Sequence, residues 1–66
     1  MEVIPVIRER MKRYGIPNAE LARRVGMHPE MLRRCLNGTR KLRATELVSL
    51  CHELGLKLDD FEKVSA

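Results

Sequence analysis

The chain has 66 residues, 44% of them hydrophobic, with Tyr14 and Phe61 its two aromatics; this excludes two domains, a large cleft and a repeat array, and leaves one domain, 1–66, with an aliphatic core. No apolar run approaches the ~20 residues that span a bilayer, and Met1 to Ile7 lacks the basic-then-apolar order of a signal peptide, so a cytoplasmic protein with no membrane partner is expected. The net charge of +4 is unevenly placed: residues 8–43 hold eleven Lys or Arg against Glu9, Glu20 and Glu30, a net +8, whereas residues 44–66 hold Lys57 and Lys63 against five acids, a net −3, a segregation that favours a polyanion partner.

Five short helices are predicted. The first opens near Pro5, whose missing N–H costs nothing in a first turn; Ile7, Met11 and Tyr14 mark its apolar face, and Gly15 ends it. The second starts at Pro17 or Asn18, carries Leu21, Ala22 and Val25, and stops at Gly26. The third opens at His28-Pro29-Glu30, with His28 as cap and Pro29 in the first helical position. Its apolar side is Met31, Leu32, Cys35 and Leu36, and Asn37-Gly38 closes it before the basic loop Thr39-Arg40-Lys41. The fourth covers residues 44–54 with Leu47, Val48, Leu50, Cys51 and Leu54 apolar, and the fifth covers residues 58–64 with Leu58, Phe61 and Val64. No segment alternates as a strand does, and no internal repeat is expected. The fold class is all-α.

Cys35 and Cys51 read as small buried hydrophobes. No Cys-x-x-Cys or His-x-x-x-His spacing is present, and adjacent Cys51 and His52 point about 100° apart on a helix, so no metal or cofactor is expected. Ser49 and Ser65 have no partner that spacing places beside them, and no glycine-rich phosphate loop occurs, so the chain is not read as an enzyme.

The second and third helices, residues 18–37, flank a tight turn at Gly26. Ala22 is small where two helices must cross closely, and Leu32 and Cys35 lock the second helix of the pair against the first; this is helix-turn-helix spacing. The segments Gly15-Ile16, "AELARRVGM" (19–27), "LNG" (36–38) and "LVSLCHELGLKLDDF" (47–61) together resemble the Cro and lambda-repressor-like, or XRE, family over about residues 4–64. The resemblance implies a compact five-helix domain that binds duplex DNA, usually as a dimer and usually as a repressor, with the helix of residues 29–37 in the major groove.

On that basis Pro29, Glu30, Arg33, Arg34 and Asn37 face the DNA. Asn18 matches a family position that touches the phosphate backbone, and His28, Thr39, Arg40, Lys41 and Arg43 are placed to meet phosphates. A guanidinium can bond guanine O6 and N7, and a carboxylate can accept from cytosine N4; Arg34 is the first choice as base reader, Arg33 the second, with Glu30 available for cytosine. Pro29 stands where the family often has a polar base reader. Met11 and Leu36 stand where the family often has an ion pair; apolar replacement of both is compatible with stability, and the two side chains are expected to lie together. Dimer contacts are assigned to Leu56, Leu58, Phe61 and Val64. The chain leaves no room for a separate sensing domain, so control falls to concentration, operator overlap or another protein. A second reading comes from "HPEMLRRCLNG" with Leu42 and Thr45, which also resembles HigA-type antitoxins; it implies a toxin or antirepressor partner and repression of its own operon.

Overall fold

A computed structural model of the protein describes residues 3–65, with side chains described for residues 3–62. The helices are α1 Val3–Tyr14, α2 Asn18–Val25, α3 Pro29–Asn37, α4 Ala44–Leu54 and α5 Leu58–Ser65, and no strand occurs among the described residues. α1 begins two residues before Pro5, which leaves Pro5 inside the first turn, where a helix has no use for its N–H. α2 packs on α3 and α4, and α1 lies against α3, α4 and α5. The side chains that bring these helices together are Ile7, Leu21, Ala22, Leu32, Leu50 and Leu54, all fully buried, with Cys35 at 1% exposure. Met11 packs against the cluster that contains Leu36, so the two apolar substitutes for an ion pair belong to one core.

Helix ends follow the residue types that occupy them. Gly26, at φ +73°, and Gly38, at φ +82°, stand in the left-handed region after α2 and α3. A Cβ at either site would meet nothing within 4 Å, so the demand for glycine is conformational, not steric. His28 caps α3 by accepting the Glu30 N–H at Nδ1, 3.1 Å away. Glu46 accepts the Arg43 N–H at 2.9 Å, and Asp60 accepts the Lys57 N–H at 2.7 Å; each carboxylate satisfies a donor at the start of its own helix.

Several apolar residues lie outside the core the sequence suggests. In α4, Leu47, Leu50, Cys51 and Leu54 share one stripe, and Val48 points off it, at 67% exposure. Tyr14 is 54% exposed, because it sits at the last residue of α1, ~10 Å along the axis from Ile7. Arg10 takes its ring instead, with the guanidinium 5.5 Å from the centroid. Met31 is at the surface of α3. Leu56 and Phe61, assigned by sequence to a dimer surface, are buried within the bundle at 8% and 4% exposure. Both belong to the cluster that holds Ile7, Leu50 and Leu54, so they close the core from the α4–α5 side. Leu58 stays outside at 71%, and the Val64 side chain lies outside the described residues.

Leu50→Ala is expected to cost about 2–5 kcal/mol, a large part of the stability of a domain this small. Val48→Ala is expected to stay within about 0.5 kcal/mol. Urea unfolding midpoints compare the two, and equal losses would contradict the placement of Val48 at the surface.

Candidate nucleic-acid interface

α3 buries Leu32, Cys35 and Leu36. At ~100° per residue, the side opposite that stripe centres on Glu30 and Asn37, with Arg34 on one flank and Arg33 on the other. Four of the five α3 residues that sequence turns toward DNA therefore fall within about 100° on the outward side, and Pro29 lies off it, near the Leu36 edge of the helix. Pro29 is exposed at the start of the helix. Asn18 donates from Nδ2 to the Pro29 carbonyl at 3.0 Å, which fastens the beginning of α2 to the beginning of α3. His28 is exposed beside this joint as the cap already described.

The far end of α3 is held by donors from Thr39, Arg40 and Arg8. The Arg34 carbonyl accepts from the Thr39 N–H at 3.0 Å, the Arg40 N–H at 3.3 Å and the Thr39 hydroxyl at 3.2 Å. The Leu36 carbonyl accepts from Arg8 Nε at 3.1 Å and Nη2 at 2.7 Å, and the same Nη2 reaches Asn37 Oδ1 at 3.1 Å. Arg8 was not apparent as a functional residue from sequence. Its one signal there is that it borders the Ile7–Met11 stripe of α1, a place from which a long side chain can reach a neighbouring helix end.

The basic loop divides. Lys41 and Arg43 are exposed, and their side chains have no ion-pair partner among the described residues. Arg40 is half-buried: Nη1 and Nη2 grip Glu46 at 2.9 and 3.2 Å, and Nη1 also donates to Cys35 Sγ at 3.1 Å. This pairing raises the Arg40 pKa and lowers that of Glu46. Arg40 thus ties the loop to α3 and α4, and a phosphate would have to compete with Glu46 for it. Leu42 tucks against the core beside it.

Glu30 gathers the arginines of α3. Arg33 meets both its carboxylate oxygens, through Nε at 3.0 Å and through Nη2, and Arg34 Nε approaches at 3.4 Å. The hydrogen bonds from Arg33, then those from Arg34, hold the Glu30 carboxyl down at about 2. Glu20 does the same in α2, where Arg23 and Arg24 bond it and its carboxyl is also held at about 2. The sequence does contain a short repeat that a search for longer ones misses: Glu-x-x-Arg-Arg at 20–24 and again at 30–34.

A family model described as helix-turn-helix matches residues 7–61. The chain belongs to the Cro/C1-type helix-turn-helix, or XRE, family. It is a DNA-binding transcriptional regulator. No curated protein and no solved structure matches the chain. Among the described residues no helix is long and apolar enough to cross a membrane, and no three His, Cys, Asp or Glu converge as metal ligands do.

The Glu30 side chain is expected to titrate near pH 2 by carbon NMR, and Arg33→Ala should move it toward 4.5 further than Arg34→Ala does. Because folding lowers this pKa, the pair's contribution to stability is complete above pH 4.5 and is lost as pH falls toward about 2. A wild-type midpoint near 4.5 would mean that the grip does not form in solution.

Proposed function

We propose that this regulator is a sequence-specific repressor that binds an inverted-repeat operator as a homodimer, in the cytoplasm at the nucleoid, without a cofactor or an enzymatic step. The observation that carries the reading is the outward quadrant of α3, where Glu30, Arg33, Arg34 and Asn37 stand together on a helix fastened at both ends. Arg34 and Arg33 read guanine through O6 and N7, and Glu30 accepts from cytosine N4. Lys41 and Arg43 supply affinity that does not depend on sequence by displacing counterions from phosphates. The joined beginnings of α2 and α3, at Asn18 and Pro29, put two positive helix ends beside the same backbone. Two copies place their reading helices one DNA turn apart, ~10 bp, and of the residues assigned to the dimer contact Leu58 is exposed.

Selection from a random duplex library at ~0.15 M salt tests this directly, since salt sets the size of the phosphate contribution. An inverted repeat is the expected product. Binding without a motif that disappears as salt rises would overturn the reading and put an antitoxin-like role, with a toxin as partner, in its place. On the selected operator, Arg34→Ala is expected to reduce discrimination against a mutated guanine roughly five- to hundredfold. Lys41→Ala should weaken operator and random duplex alike and flatten the salt dependence by about one ion.

A further inference from the structure

The two Glu-x-x-Arg-Arg units differ in what surrounds them. In α2, Arg24 bonds Glu20 and also lies 3.8 Å from Glu53 of α4, so that unit braces one helix against another. In α3, the side chains of Arg33 and Arg34 have no hydrogen-bond or ion-pair partner among the described residues except Glu30. Their side-chain exposures are 56% and 61%, against 44% for Glu30. Among the described residues this second unit joins α3 to no other helix. It occupies the centre of the surface that faces DNA.

The geometry points to Glu30 as a residue that sets operator specificity by competition: it holds Arg33 and Arg34 in the free protein and releases them only where the duplex replaces both sides of the pairing. This rests on the major-groove reading above. Exposed ion pairs are weak and exchange readily, so any phosphate can draw an arginine away. When phosphates draw off both, Glu30 is left as an unpaired carboxylate facing a polyanion, and the encounter is disfavoured. A site that offers guanine O6 and N7 to one arginine and a cytosine N4–H to Glu30, with a phosphate or a second guanine for the other arginine, leaves no group unpaired. The ligand class is therefore duplex DNA with G·C pairs at the positions facing these side chains. The carboxylate lowers affinity for every other sequence more than it lowers affinity for that one.

The test compares binding of wild type, Glu30→Gln, Glu30→Asp and Glu20→Gln to the selected operator and to random duplex across a salt series, with helicity checked by circular dichroism. Glu30→Gln is expected to bind random duplex about three- to tenfold more tightly, with a salt slope steeper by up to ~1, and to lose operator preference by a similar factor. Glu30→Asp keeps the charge but is too short to hold both arginines, and it is expected to lose part of the preference. Glu20→Gln is expected to keep it. An unchanged preference in Glu30→Gln overturns the inference, as does Glu30→Asp matching wild type, or Glu20→Gln losing as much as Glu30→Gln. A wild type with no operator at all overturns the major-groove reading itself, and is thereby distinguished from failure of the competition alone.

Discussion

Helix ends leave carbonyl groups that must find donors, and here two arginines of α1, about 200° apart around its axis, supply them to different helices distant in sequence. Arg8 serves the last turn of α3, and Arg10 donates from Nη1 to the carbonyls of Leu54 and Gly55 at the end of α4, at 3.1 and 3.3 Å. Arg10 also pairs with Asp60 at 3.2 Å, and Asp60 in turn accepts the N–H that begins α5. With 12% of its side chain exposed, Arg10 depends on these partners, because a buried charge that loses its partner is costly. α1, α4 and α5 are thus joined at one polar point above an aliphatic core. The same helix holds the end of α3, so the direction in which α3 points is set from α1.

Arginine serves two ends in this chain, and its surroundings decide which. Arg8, Arg10 and Arg40 direct their rigid forks inward, to carbonyls and carboxylates that fix the bundle and its loop. Arg33 and Arg34 face outward with one carboxylate between them. A net charge therefore overstates what is available to a polyanion: part of the positive charge of residues 8–43 is already committed to the fold. Lys41 and Arg43 remain exposed just beyond the fixed end of α3, with no ion-pair partner among the described residues.

The helix order, the glycine stops, the His28 cap and the burial of Leu32, Cys35 and Leu36 were legible in sequence, because each depends on neighbours within one or two turns. Val48 and Tyr14 were not. Periodicity tells which way a side chain points but not how far along its helix the core extends, or how wide a stripe the partner helices cover. Phe61 and Leu56 were misassigned for a related reason: an apolar residue near the end of a chain fits a dimer surface and a core lid equally well until the other contents of the core are known. The structural arginines were least legible, since the reach of a long flexible side chain to a carbonyl many residues away is a property of the packed fold.

The repeated Glu-x-x-Arg-Arg unit separates local from tertiary causes. Within each helix the spacing alone brings the carboxylate to both arginines, and the two units are alike at that level. What distinguishes them is orientation, which the core fixes. Leu21 and Ala22 turn the α2 unit so that Arg24 meets Glu53, whereas Leu32, Cys35 and Leu36 turn the α3 unit away from every other helix. A pairing that braces the bundle in one place is, in the other, confined to one exposed helix face. Because the difference lies in the buried residues, a substitution that rotated α3 on its core would change which charges the helix presents to solvent without altering any of them.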